Sequence, residues 1–116
     1  MNQHGKINYI ELPCSDLAAT KAFFSEAFGW GFVDYGPDYV AITDAGIDGG
    51  FYKSQLCART EHGSALVVLY SNNLEQTLQQ VTAAGATISI AIFSFPGGRR
   101  FHFIEPGGNE YAVWSE

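Results

Sequence analysis

Basic residues are scarce in this chain. Six Lys and Arg stand against twelve Asp and Glu, for a formal net charge of −6. Phosphate backbones are held by an excess of Lys and Arg, so this balance argues against a nucleic-acid partner. The acidity serves solubility first. Cysteine is nearly absent. Cys14 and Cys57 form no CxxC pair and no metal-ligand spacing, and the expectation is two idle thiols in a reducing cytoplasm. No apolar stretch approaches the length of a membrane span, and the opening "MNQHGKINY" has no apolar signal core. These features lead to the expectation of a soluble, cytoplasmic protein with no membrane partner. Hydrolase signatures of the GxSxG or Ser-His-Asp kind are missing. The Gly-rich pieces, "PGG" at 96–98 and "PGGN" at 106–109, precede no helix. They are turn chemistry rather than phosphate loops.

Apolar and aromatic residues are plentiful. They make up 47% and 15% of the 116 residues, enough for the core of one compact domain and a surplus to line a pocket or an interface. "KINYIELP" is a β-rich run ending at Pro13. In "SDLAATKAFFSEAFGW", Ser15 or Asp16 can cap a helix with Leu17, Thr20, Phe24 and Phe28 on one face, stopped by Gly29. "WGFVDYG", "DYVAITD" and "GGFYK" read as three short strands. Residues 54–64 have no periodicity and read as a linker. The order then repeats: strand "ALVVLYS", helix "NNLEQTLQQVTAAG", and strands "ATISIAIFSF", "RRFHFIE" and "NEYAVWSE". Tyr9 matches Leu66, Leu12 matches Leu69, Leu17 matches Leu74 and Phe24 matches Val81, all at one constant offset. The chain is therefore read as one domain over 1–116, with module one at about 6–53 and module two at about 65–115.

A module this small covers one face of its sheet with its helix and leaves the other open. Strand alternation assigns the faces. If Ile10 and Leu12 pack under the first helix, Ile7, Tyr9 and Glu11 face the open side. In the last strand Glu110, Ala112 and Trp114 share a face. In "RRFHFIE", His102 shares a face with Arg100 and Ile104, opposite Phe101 and Phe103.

Two stretches, "INYIELPCSDLAATKAFFSEAFGW" at 7–30 and "FIEPGGNEYAVW" at 103–114, together with the duplicated element order, resemble the vicinal oxygen chelate superfamily. Glyoxalase I, bleomycin-resistance proteins and extradiol dioxygenases belong to it. The resemblance covers nearly the whole chain. It implies an α+β fold: two βαβββ modules forming a cup-shaped mixed sheet, with the helices on the outside. It also implies a homodimer. In metal-dependent relatives four His, Glu or Gln side chains hold a divalent ion at the cup centre. Carried over by position, those ligands fall on Tyr9, on Gly49 or Gly50, on Leu66 and on Ala112. Leu, Gly and Ala offer no donor side chain, and Tyr9 alone holds no ion. The expectation is no metal and no cofactor.

The expected partner is a small organic molecule, bound in an aromatic-lined cup by Tyr9, Glu11, Trp30, Tyr70, Arg100, His102 and Trp114. A His-Arg pair facing a pocket suits a carboxylate or a proton transfer. Glu11, His102 and Glu110 are the candidate catalysts, Glu11 and Glu110 as strand neighbours sharing a proton. His62 in the linker and His4 in the N-terminal tail are weaker candidates. Two alternatives stand beside metal-free binding. One is a glyoxalase-like lyase or isomerase, using a recruited metal or the carboxylates. The other is a structural or partner-binding domain whose cup is filled by its own side chains.

Overall fold

The computed structural model describes residues 2–116. Module one runs β1 (Tyr9–Cys14), α1 (Leu17–Phe28), β2 (Gly31–Asp34), β3 (Tyr39–Thr43) and β4 (Asp48–Lys53). A linker with one 3-10 turn at Thr60–His62 follows. Module two runs β5 (Val67–Tyr70), α2 (Leu74–Ala83), β6 (Thr87–Phe95), β7 (Gly98–Ile104) and β8 (Glu110–Ser115). The two sheets have the same strand order, β1-β4-β3-β2 and β5-β8-β7-β6. In each, the first strand lies parallel to the last and the other pairings are antiparallel. Parallel neighbours need a long crossover, and the helix of each module belongs to it. The expected α+β fold of two βαβββ modules is what forms.

Short-range chemistry sets the helix ends. The Asp16 carboxylate accepts the Ala19 amide at 3.1 Å, and the Asn73 side chain accepts the Gln76 amide at 3.2 Å. Each satisfies an N-terminal donor that the helix cannot use itself. Gly29 ends α1 in the left-handed conformation at φ 71°, where a residue with Cβ is strained. No helix among the described residues is long and apolar enough to cross a membrane.

Each helix lies on the outside of its cup, against the sheet face turned away from it. Leu12, Cys14, Val40, Ile42 and Phe51 form that buried face in module one, and Phe101, Phe103, Tyr111 and Val113 in module two. Within one chain these two helix-bearing faces turn toward each other. Phe24 of α1 stacks on Trp30 at 4.2 Å between centroids, on Phe51 at 5.9 Å, and edge-on against Tyr111 of β8 at 5.1 Å. Phe23 reaches Phe103 of β7 at 5.6 Å. Helix α1 thus serves both sheets, and α2 packs against α1, β7 and β8. One continuous apolar core results, and both cup faces are left pointing outward.

The turn between β7 and β8 ties the modules together. Asn109 is fully buried. Its Oδ1 accepts the Ala58 amide at 2.8 Å and its Nδ2 donates to the Pro13 carbonyl at 2.6 Å. One side chain thus closes orphan backbone groups at the end of β1 and in the linker. Ser15 donates to the Gly107 carbonyl, and Arg59 Nε to the Gly108 carbonyl at 2.9 Å. Gly107 has no room for a side chain: a Cβ there would sit 2.1 Å from Thr20 Oγ1 and 2.5 Å from Glu105 Oε1.

Glu105 starts this turn and is 2% exposed, with Oε2 unpartnered. Burial pushes its carboxyl from the ordinary 4.5 up to about 7, against the opposing pull of the Thr20 hydroxyl and the Asn109 and Gly107 amides. Burial likewise raises the Cys14 thiol and the Tyr111 phenol.

Two outcomes are expected. Asn109→Ala leaves the Ala58 donor and the Pro13 acceptor buried and unpaired, and lowers unfolding free energy by about 3 kcal/mol. Urea titration measures this, and a loss below about 1 kcal/mol would contradict the tie. Glu105 is carried into the fold as the neutral acid, so its folded pKa lies above its unfolded one. Its contribution is full below pH 4.5 and is lost as pH rises through about 7. The shift corresponds to roughly 3 kcal/mol. Glu105→Gln flattens the fall in stability across that window. An unchanged pH slope in the variant would refute the assignment.

Candidate ligand-binding site

The open face of module two is read from strand register. Arg100, His102 and Ile104 of β7 lie opposite Trp114, Ala112 and Glu110 of β8, and Phe93 of β6 lies beside Arg100. Aromatic rings wall this face. Trp114 meets Tyr70 edge-on at 5.2 Å and Phe95 at 6.3 Å. The Tyr70 hydroxyl bonds to the Glu116 carboxylate, which raises the phenol above its ordinary range. Val68, Phe95, Pro96, Gly97, Arg100 and Trp114 line a groove of about 390 Å³.

A polar chain runs beneath the groove. Arg100 Nη2 lies 2.9 Å from His102 Nε2. A guanidinium has no lone pair to offer, so Nε2 accepts and the imidazole proton resides on Nδ1. Nδ1 then donates to Glu110 Oε2 at 2.7 Å. Glu110 Oε1 in turn accepts the Thr60 amide at 2.8 Å and the Thr60 hydroxyl at 2.9 Å. Burial pushes the Glu110 carboxyl up, but the donors from Thr60 and His102 outweigh it and hold the group below its usual range. His102 and Glu110 are both buried. With both ring nitrogens engaged, His102 orients Arg100 and has no free lone pair for proton abstraction.

The open face of module one is simpler. The Tyr39 hydroxyl donates to Glu11 Oε2 at 2.9 Å and shares a short bond with the Tyr9 hydroxyl. Tyr39 lies across Gly50, where a Cβ would meet its hydroxyl at 2.0 Å. Glycine at this position therefore makes room for a tyrosine.

The structure sorts the residues picked out in the sequence. Arg100, His102, Tyr70, Trp114 and Glu110 come together on one sheet face. Tyr9 and Glu11 share the open face of the other sheet. Trp30 does not line a cup. It stacks on Phe24 on the helix side and borders a separate apolar cavity of about 400 Å³ between the sheets, with Ile10, Leu12, Phe28, Phe51 and Leu69. The reason is the tight turn at Gly29, which folds the indole back onto the end of α1. Glu11 and Glu110 are not strand neighbours, because β1 pairs only with β4 and β8 only with β5 and β7. Glu11 and Glu110 therefore form no shared-proton pair across adjacent strands. His62 is exposed beside Glu61 and His4 is exposed in the tail.

Sequence reasoning did not find Tyr39, Thr60, Phe93 or Phe95. The two Phe carried a faint signal, an apolar pair at strand spacing beside the Arg100 strand. Thr60 carried none, since a linker has no periodicity to read.

Carried over from the resemblance, the ion-holding positions of metal-dependent relatives fall on Tyr9, on a glycine at 49 or 50, on Leu66 and on Ala112. Among the described residues no group of three or more His, Cys, Asp or Glu could hold a metal ion. Phenol, hydrogen and alkyl groups do not make a ligand set for a divalent cation, so this chain's residues do not fit the family's ion.

No curated protein matches the chain by sequence. Among solved structures, a glyoxalase-related enzyme from Fulvimarina pelagi is similar at 22% identity. The match covers 97% of this chain and 88% of that one, with a TM-score of 0.72. A glyoxalase/bleomycin resistance protein/dioxygenase family enzyme from Burkholderia phytofirmans is similar at 16% identity over 93% and 96% of the two chains, with a TM-score of 0.75. The fosfomycin resistance protein FosX from Listeria monocytogenes is similar at 15% identity over 98% and 95%, with a TM-score of 0.80. These likenesses concern the fold. The family's sequence model matches residues 6–113, and with the paired βαβββ modules in place, the chain belongs to the Glyoxalase/Bleomycin resistance protein/Dioxygenase superfamily.

Proposed function

We propose that this protein binds a small organic molecule, with no resident catalytic metal, on the open face of module two. The cup is completed by the open face of module one from a second copy. The observation that carries the reading is the aromatic groove over a fixed Arg100–His102–Glu110 chain, on the face where the family's ligand positions hold no donor. Apolar walls with a few fixed polar groups are the usual make-up of a small-molecule site.

The second copy follows from the direction of the faces. Both helix-bearing faces are consumed inside the chain, so module one cannot roof module two of the same chain. Both open faces leave large side chains in water: Tyr9 is 44% exposed, Val68 43% and Tyr70 53%. Apolar and aromatic surface of this extent favours a covering partner. A two-fold pairing of module one with module two would cover both faces at once.

The lyase or isomerase reading and the filled-cup reading predict different results. Protein purified without chelators is expected to carry no stoichiometric nickel, zinc or manganese, and to leave the hemithioacetal of methylglyoxal and glutathione unconverted. A stoichiometric metal sinks the metal-free reading. Turnover that survives a chelator shifts the assignment to carboxylate catalysis. Sedimentation equilibrium is expected to report a homodimer, and Ile90→Glu on the open face of β6 to shift it toward monomer. A monomeric wild type at micromolar concentration would remove the second copy from the site.

A further inference from the structure

We propose that Arg100 is an anion anchor, and that the molecule taken up by this face is a monoanionic carboxylate with an apolar body. The inference rests on the reading that the open face of module two binds a small molecule, and it names the chemistry of that molecule.

The chain has only six Lys and Arg. Lys6 and Lys53 are exposed, in or beside module one, with no ion pair among the described residues, and Lys21 pairs with Asp34 at 2.9 Å. Arg59 bonds to the Gly108 carbonyl and lies near Glu61. Arg99 grips Glu75 with both terminal nitrogens. Arg99 and Arg100 are adjacent on β7 and so point to opposite faces. Arg99 is neutralised on the helix side. Arg100, on the open side, is half-buried, and among the described residues it has no carboxylate within ion-pair distance.

The site around Arg100 is built to hold a guanidinium and leave its charge unspent. The guanidinium carbon lies 5.5 Å from the Phe93 ring and 5.9 Å from the Phe95 ring, close enough for the ring faces to stabilise a cation. His102 accepts one N–H and is itself fixed by Glu110 and Thr60. The Nε–H is buried with no acceptor and lies out of a ligand's reach, whereas Nη1 has no partner and is not buried. Of the carboxylates on this face, Glu110 is committed on both oxygens and Glu116 accepts the Tyr70 hydroxyl. A planar, immobilised fork with free donors matches a carboxylate in shape and charge.

The same observations set the ligand's limits. One unpaired guanidinium, with no lysine or helix N-terminus beside it, balances one negative charge. A phosphate dianion would meet Glu110 and a chain of net charge −6 with too little to offset it. The groove beside the guanidinium is bounded by Val68, Phe95, Pro96 and Trp114, which suits one ring or a short branched chain. Trp114 lies directly across from Arg100 in the β7–β8 register, so the ligand body would lie against the indole.

The test is a set of matched probes titrated into the intact wild-type protein. Phenylacetate and phenylacetamide, with the corresponding acid–amide pairs of benzoic and isovaleric acid, are followed by Trp fluorescence and calorimetry. Acids are expected to bind at least about tenfold more tightly than their amides, the scale of a charge-assisted hydrogen bond. Arg100→Met abolishes that preference, Arg100→Lys weakens it by losing the fork, and Arg99→Met leaves it unchanged. Circular dichroism establishes that each variant is folded. Should Arg100→Met not fold, Arg100→Lys and the acid–amide ratio of the wild type carry the test. Equal binding of acids and amides overturns the anion anchor while leaving the small-molecule reading standing. Binding of no pair sinks both. An acid preference that persists in folded Arg100→Met places the anion elsewhere and overturns the assignment. A dimer that dissociates in Arg100→Met, with no acid preference in the wild type, makes Arg100 an intersubunit ion pair and also overturns it.

Discussion

The buried Asn109 side chain is the constraint on which the assembly of the two modules depends. It is bonded at one end to the last turn of β1 and at the other to the linker, while its own backbone closes the β7–β8 turn through the Glu105 amide at 3.0 Å. A single amide thus fixes three segments that are far apart in sequence. The neighbouring Glu110 amide donates to the Ala58 carbonyl at 2.8 Å, so the linker is held along the start of β8. That placement brings Thr60 to the Glu110 carboxylate. The polar chain under the open face of module two is therefore a downstream consequence of how the turn is tied.

Burial of aromatic surface sets the second level of organisation. Phe24 contacts rings from both modules, so α1 acts as the common floor of two sheets. The core is then shared, and neither module has a separate one. The arrangement has a geometric cost. A sheet has two faces, and using the helix faces for the intrachain core leaves both cup faces unpaired. The chain's aromatic residues are divided between these roles, with Phe24, Phe51, Phe103, Tyr111 and Trp30 in or against the shared core and Tyr9, Tyr70, Phe93, Phe95 and Trp114 on the open faces.

The chemistry left on the open face is a matter of which lone pairs and protons remain free. His102 spends both nitrogens, Glu110 spends both oxygens, and Arg100 retains donors. A face with acceptors consumed and a cation retained is organised for recognition more than for proton abstraction. In module one, Glu11 is held by Tyr39, whose side chain occupies the space above Gly50. A glycine that admits the Tyr39 side chain thus stands at or next to one of the positions where the resemblance places a donor.

Much of this was legible in the sequence because it depends on local periodicity. Strand alternation placed Arg100 with His102, and Glu110 with Trp114. Capping residues and Gly29 bounded the helices, and the repeated order of elements gave the two modules. Position against the family motifs showed that Ala112 and Leu66 carry no donor. What the sequence did not determine was everything that depends on which sheet faces which. Trp30 went to the core because a tight turn folded it back, and Glu11 and Glu110 were parted because β1 and β8 belong to different sheets. Thr60 entered the polar chain only because Asn109 draws the linker in. Alternation assigns a residue to a face of its own strand from nearest neighbours alone. The partner of that face is chosen by burial of the whole apolar surface, and that is decided only in the folded chain.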